Sequence, residues 1–426
     1  MSHSLVALSV FVAAYVLFVI LPNRRTIVAV AAGALLLLAG VISPEDAFRA
    51  INWNVMGIFV GTLVVADLFM ESRVPARLAE LIVDRAPNTA WAILAICALT
   101  GFISAFVENV ATVMIVAPIA LALAKKLGIT PVKMMIAIAV SSNLQGCATL
   151  IGDPPSMLLG GFAKMTFADF FFYRGKPGIF FAVELGAIAS FFVLYWIFRG
   201  YRRKAALIPV EKVRSLVPTA ILVTLIAALA LSSFFDTEFS YMAGALCMIA
   251  GMLALAWDKL ATRNSIIEGL RTLDWDTTFF LVGIFILVGS LTLTGWIDTI
   301  SGALSDLVGK NIFLGYTLIV FVSVAISAFV DNVPYLAAML PVALRMSDRL
   351  SMDPSLFLFG LLIGASLGGN ITPIGASANI VACGMLRKEG YEVRFGEFMR
   401  IGIPFTLAAV VPAYLFVWWV WGPVHG

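Results

Sequence analysis

The sequence predicts an all-α polytopic membrane fold: two inverted repeats carrying two helical re-entrant hairpins and two interrupted transmembrane helices, with about ten crossings in all. Three observations predict it. First, 61% of the 426 residues are hydrophobic and 12% are charged, whereas soluble domains carry roughly 25% charge. Second, apolar runs of span length recur from one end of the chain to the other. Third, the polar phrases that break these runs occur twice. The short alternating segments of a β-barrel are absent from the sequence.

The first run, about residues 4–21, is followed by Asn23-Arg24-Arg25 and no small-residue cleavage site, so it is expected to be a retained span. Further spans are expected at 27–42, 54–70, 178–198, 216–234, 239–256, 276–293 and 401–421. Runs at 132–165 and 355–388 are long enough but contain internal Gly and Pro, and read as interrupted helices. Regions 90–124 and 312–346 each hold two short apolar limbs around a polar tip, Glu108-Asn109 or Asp331-Asn332, and read as hairpins.

With Arg24-Arg25 placed in the cytoplasm, Arg73, Arg77, Arg85, Lys125, Lys126, Lys133, Arg199, Arg202, Arg203, Lys204, Lys212, Arg214, Lys259, Arg263, Arg271, Arg387, Lys388, Arg394 and Arg400 also fall inside. Arg49, Arg174, Lys176, Lys310, Arg345 and Arg349 fall outside, and Lys164 is undecided. That is the positive-inside bias, and it puts both termini outside. The expected organisation is an N-terminal helix (1–26), repeat 1 (27–198), a cytoplasmic linker and connecting helix (199–238) and repeat 2 (239–426).

The repeat rests on register. NWNVMGIFVG (52–61) resembles DWDTTFFLVG (274–283). SAFVEN (104–109) matches SAFVDN (327–332), Pro118 matches Pro341, and CATLIGDPPS (147–156) matches NITPIGASAN (370–379), all at one offset of 223 residues. An odd number of crossings separates the repeats, so they are inverted. Inverted repeats with broken helices are the architecture of secondary transporters, with the site near the midplane.

A carboxylate in hydrocarbon is costly and marks function by default. Candidate substrate- or ion-binding residues are therefore the tips Glu108, Asn109, Asp331 and Asn332, and the breaks with their surroundings: Asn143, Thr149, Gly152, Asp153, Asn370, Thr372, Gly375, Ser377 and Asn379. Freed carbonyls at a break can ligate a cation, and half-helix N-termini can face a polar substrate. Plainer roles compete. Asn109 and Asn332 could cap hairpin limbs, Asp153 could cap the half-helix after it, and the glycines could be architectural. Cys147 reads as a buried inert thiol, and Gln145, Ser156, Glu184 and Asp67 are secondary suspects.

Several classes are disfavoured. The only histidines, His3 and His425, are terminal, which argues against an intramembrane metalloenzyme. Cys97, Cys147, Cys247 and Cys383 show no metal or disulfide spacing. No nucleotide fingerprint or nucleophile motif stands in a suitable context. No catalytic residue, metal site or organic cofactor is expected.

The phrases SAFVENVATVMIVAP, SSNLQGCATLIGDPPSM, SAFVDNVPYLAAMLP and GGNITPIGASANIV resemble the arsenite permease/sodium–proton antiporter branch of the ion transporter superfamily. The last of them, with GYEVRFGEFMRIGIP (390–404), is similar to relatives of the melanosomal P protein. The resemblance implies a fixed scaffold and a moving domain that carries hairpins and broken helices, as in an elevator. In the superfamily's divalent-anion symporters, Ser-Asn-Thr triplets at the tips bind sodium and substrate. Here those triplets are Glu108-Asn109-Val110 and Asp331-Asn332-Val333, a change that argues against a dicarboxylate or citrate.

The expected function is proton-coupled exchange exporting a small inorganic solute. Arsenite or antimonite comes first by likeness, with a Na+/H+ antiporter nearly level and an anion conductance as the rival class. The coupling ion is H+ or Na+. The expected setting is the lipid bilayer of a bacterial or archaeal inner membrane, with no nucleic-acid partner. A homodimer and a cytoplasmic ATPase partner both remain compatible with the sequence.

Overall fold

A computed structural model describes residues 2–204, 212–262, 265–309 and 311–423. Arg263 and Lys310 of the charge count, residues 205–211 of the expected linker, and His425 lie outside them. In chain order the helices of the first half are α1 (His3–Ile20), α2 (Arg25–Leu38), α3 (Pro44–Ala50), α4 (Trp53–Glu71), α5 (Val74–Arg85), α6 (Thr89–Ser104), α7 (Asn109–Leu127), α8 (Val132–Gly146), α9 (Pro154–Ala163) and α10 (Ile179–Phe198). Those of the second half are α11 (Val217–Ser232), α12 (Met242–Thr262), α13 (Ile266–Thr272), α14 (Trp275–Leu293), α15 (Trp296–Val308), α16 (Ile312–Ser327), α17 (Asn332–Arg349), α18 (Ser355–Gly368), α19 (Ser377–Lys388) and α20 (Phe395–Trp421). Among the described residues one antiparallel two-stranded ribbon, β1 (Phe172–Tyr173) with β2 (Lys176–Pro177), precedes α10.

Among the described residues seven helices are long and apolar enough to cross a membrane by length and composition: α1, α4, α7, α10, α12, α14 and α20. The shorter apolar helices α2, α6, α11, α16 and α18 complete the multi-pass, inverted-repeat fold. One expectation needs correction. The limbs of the first hairpin are not both short, because α7 has 19 residues and meets the length of a span. Its end is set by Gly128, whose φ of +63° is the left-handed geometry that glycine adopts without a Cβ penalty.

The helices sort into two groups. In the first, α4 lies along α12 and α2 along α14, so each half lends a helix to the other. The α4–α12 contact is made by glycines: a Cβ on Gly61 would stand 2.3 Å from the Cys247 carbonyl carbon, and one on Gly244 2.6 Å from the Asn54 carbonyl oxygen. Small residues let apolar helices approach this closely and gain dispersion contact. Helix α1 packs on α2 and α14, and α11 packs on α12 and α4, the reciprocal arrangement. We call this group the frame.

The second group holds the hairpins α6–α7 and α16–α17, the broken helices α8/α9 and α18/α19, and α10 packed along α20. Its contacts are reciprocal as well: α6 packs on α8 and α16 on α18, while α7 meets α19 and α17 meets α9.

Candidate functional site

Each hairpin tip is pinned to its own broken helix by backbone contact. Thr149 Oγ1 donates to the Ala105 carbonyl, and Thr372 Oγ1 donates to the Ala328 carbonyl, the same bond at the repeat-related position. Gly152 and Gly375 sit where a Cβ would collide with backbone. At Gly152 it would stand 2.3 Å from the Gly146 carbonyl oxygen, and at Gly375 2.6 Å from that of Gly369. Thr149, Gly152, Thr372 and Gly375 therefore build the site from behind.

The tips are capped by their acids. Glu108 accepts from the Ala111 N–H at 3.0 Å, and Asp331 from the Val333 N–H at 3.0 Å, so each carboxylate begins a helix. The capping role expected of Asn109 and Asn332 falls one residue earlier. Asn109 Oδ1 instead accepts from Ser104 Oγ at 2.6 Å, and Ser142 Oγ donates to the Asn109 carbonyl at 3.1 Å.

At the breaks, Asp153 caps α9 by accepting from the Ser156 N–H at 2.9 Å and the Ser156 hydroxyl at 2.6 Å, both through Oδ1. Its Oδ2 is buried and accepts no hydrogen bond among the described residues. Ala376 occupies the equivalent place, so α19 starts without a side-chain cap. Asn143 joins the breaks of the two halves by donating to Asn370 Oδ1 at 3.0 Å and to Asn379 Oδ1 at 2.9 Å. Asn379 in turn donates to the carbonyls of Gly369 and Thr372, the freed backbone of the second break. Polar groups in hydrocarbon must find such partners.

Tips and breaks converge on one cavity of about 120 Å³. Of the residues singled out in the sequence, Glu108, Asn109, Asn143, Asp153, Asp331, Asn332 and Ser377 line it. Asn370 and Asn379 stand behind, linked through Asn143. Cys147 and the secondary suspects Gln145, Ser156, Glu184 and Asp67 are not among the lining residues.

The frame supplies the other wall with Arg25, Phe59, Asp274 and Thr277, three polar residues that sequence reasoning missed. Arg25 forms an ion pair with Asp331, donates to Thr277 Oγ1 at 3.3 Å, and lies over the Phe280 ring at 5.0 Å. Thr277 Oγ1 donates to Asp274 at 2.6 Å, and Asp274 caps α14. Arg25 was read as a cytoplasmic orientation charge. It is also a half-buried member of the site, because it opens α2 beside the second hairpin tip. The signal lay in the DWDTT phrase (274–278), whose two acids and two hydroxyls head an apolar run.

The cavity therefore holds four carboxylates, Glu108, Asp153, Asp274 and Asp331, and one guanidinium among its lining residues. Among the described residues no three His, Cys, Asp or Glu side chains converge closely enough to hold a metal ion.

A multi-pass helical fold with a polar cavity at the junction of two helix groups defines a membrane transporter. The chain belongs to the citrate transporter family, whose model matches residues 15–348 and 265–424. It is 31% identical to an uncharacterized transporter of Mycobacterium tuberculosis over 97% of this chain and 98% of that one. It is 25% identical to the P protein of Mus musculus, over 94% of this chain and 58% of that protein. Two solved structures share the fold at 15% identity. The Alcanivorax borkumensis YdaH transporter, described as having an unusual topology, gives a TM-score of 0.63 and covers 91% of this chain and 89% of its own. Neisseria gonorrhoeae MtrF, from a class of antimetabolite efflux pumps, gives 0.58 and covers 93% and 86%.

Proposed function

We propose that this transporter is a secondary antiporter that exchanges protons for a small inorganic cation, Na+ first, through the cavity between frame and hairpins. The observation that carries the reading is the charge of the cavity wall: four carboxylates face one guanidinium, and Asp331 engages that guanidinium. An anion of several charges meets no free cation there. Carboxylates in a low-dielectric setting attract a cation or a proton strongly, and the two can replace one another. The sequence placed arsenite or antimonite ahead of sodium by likeness to the arsenite permease branch. The wall supports the opposite order, because its lining residues offer oxygen ligands and no thiol, and oxygen suits hard ions.

In this reading the hairpins and broken helices move against the frame as an elevator, in a bacterial inner membrane with both termini external. Support for the movement comes from composition of the walls. Arg25, Phe59, Asp274 and Thr277 belong to the frame, and every other lining residue belongs to the hairpin group.

The test is transport in proteoliposomes under an imposed pH gradient, with Na+, arsenite and citrate followed in parallel. Na+ exchange is expected, with Glu108→Gln and Asp331→Asn each losing it by at least about 100-fold, the order set by roughly 3 kcal/mol of lost ion interaction. Undiminished exchange in both variants refutes the role of these acids. Gradient-driven arsenite or citrate movement without Na+ replaces the cation reading by that solute.

A further inference from the structure

The two repeats bring two equivalent acids to the cavity, but among the described residues only one of them is paired with a cation. Glu108 and Asp331 occupy the same register, each caps its tip, and each stands beside an Asn. Asp331 is bound by Arg25, which reaches it from the frame and is held in turn by Thr277 and the Phe280 ring. Glu108 is in no ion pair among the described residues. Beside it, Asp153 Oδ2 is buried without a partner. Asn143 spends both amide hydrogens on Asn370 and Asn379, and its oxygen accepts no hydrogen bond among the described residues.

We propose that Arg25 is a built-in counter-cation: its guanidinium fills the half-site at Asp331, and a single exchangeable cation binds the other half, between Glu108, Asp153 and the oxygen of Asn143. The inference rests on the cation reading above and adds the stoichiometry. Three features support it. The acids are related by the repeat, so two cation positions are the default. A guanidinium at one of them satisfies its carboxylate without dissociating, since arginine does not lose its proton in proteins. The unpartnered Oδ2 of Asp153 belongs to the break of the first repeat, the half that also carries Glu108, and Arg25 makes its ion pair with Asp331 of the second. A buried acceptor left open in this way is costly unless a donor or cation completes it.

The experiment counts bound ions, which separates it from transport. Purified full-length chain in detergent is titrated with 22Na+ to saturation, with folding checked by circular dichroism and gel filtration. One Na+ per chain with a Hill coefficient near 1 is expected for the wild type and for Arg25→Lys. Arg25→Gln is expected to bind two, and Arg25→Gln with Asp331→Asn one again. Asp331→Asn alone, which leaves the guanidinium unpaired beside the cavity, is expected to weaken Na+ binding at least tenfold, and it keeps the idea testable should Arg25→Gln fail to fold.

A folded Arg25→Gln that binds no more Na+ than the wild type overturns the proposal, as does Asp331→Asn with unchanged affinity. Wild type without Na+ but Arg25→Gln with one leaves the role of Arg25 standing and removes the site at Glu108 and Asp153. Binding by neither protein removes both. One bound Na+ without gradient-driven exchange in liposomes removes the antiport reading alone.

Discussion

The two hairpin tips are alike in sequence and unlike in attachment. The second tip is tied to the frame twice: Arg25 holds Asp331, and the Tyr15 hydroxyl donates to the Pro334 carbonyl at 2.6 Å. The first tip is held within its own group by Ser104, Ser142 and Thr149. A stacked pair, Phe11 with Tyr15, and an edge contact of Phe18 on Phe280 extend the second attachment into the frame. A duplicated architecture can keep one pinning bond equivalent, Thr149 on Ala105 and Thr372 on Ala328, while dividing the chemistry around it. One tip is anchored and neutralised, and the acid of the other is in no ion pair among the described residues.

The largest expected effect tests the part the tips share. Gly152→Ala pushes a Cβ into three backbone oxygens at 2.3–3.0 Å, and backbone cannot step aside as a side chain can. A loss at or above the top of the about 1–3 kcal/mol range for overpacking is expected, with little folded protein recovered by gel filtration. Gly375→Ala, whose nearest contact is 2.6 Å, should be slightly milder. A well-folded Gly152→Ala breaks the account of the pinned tip.

Next come the acids. Asp331→Asn strands Arg25 and should lower thermal stability by about 1–3 kcal/mol, between the values for exposed and buried pairs, since both side chains keep some exposure. Glu108→Gln strands no charge and should cost under about 1 kcal/mol, as the loss of a cap does. Equal losses in thermal unfolding would erase the distinction drawn between the tips.

Thr149→Val and Thr372→Val should each cost about 1 kcal/mol, the net worth of one hydrogen bond, and cost the same in both halves. Unequal values would place the asymmetry in the backbone contacts and not in the charges.

The smallest effect lies on the surface. Asp353 is pressed upward by burial, but the Ser355 N–H and the Arg174 guanidinium together hold its carboxyl below the usual range. A depressed acid stabilises the folded state above its unfolded pKa and loses that contribution as pH falls through the folded value. The wild type should therefore lose a few tenths of a kcal/mol relative to Asp353→Asn as pH drops below about 4, read from melting curves across pH.

The sequence made the repeat legible because Ser104, Pro118 and Gly152 recur at one offset, and residues that pin backbone to backbone tolerate little drift. It also pointed to seven of the lining residues, because an acid or amide in an apolar run is conspicuous. Arg25 was not legible as a site residue. A lone arginine after a first span has the same local appearance whether it faces lipid headgroups or a cavity, and only the pairing of α2 with α14 decides. Helices α5 and α15 escaped the count of spans because they are 12 and 13 residues long, with charges on one face. Helices α1 and α11 pack reciprocally within the frame, α1 on α2 and α14 and α11 on α12 and α4, a relation that apolar composition does not encode.

The ion pair between Arg25 and Asp331 joins positions 306 residues apart, and this bears on how the protein is made. Synthesis proceeds from the N-terminus, so the guanidinium emerges early and waits for most of the polypeptide before its carboxylate arrives. The crosswise pairing of α2 with α14 and α4 with α12 imposes the same delay on the apolar contacts. A nascent first half therefore cannot reach its final packing, and the two repeats form one assembly unit that closes only when the second half has been inserted.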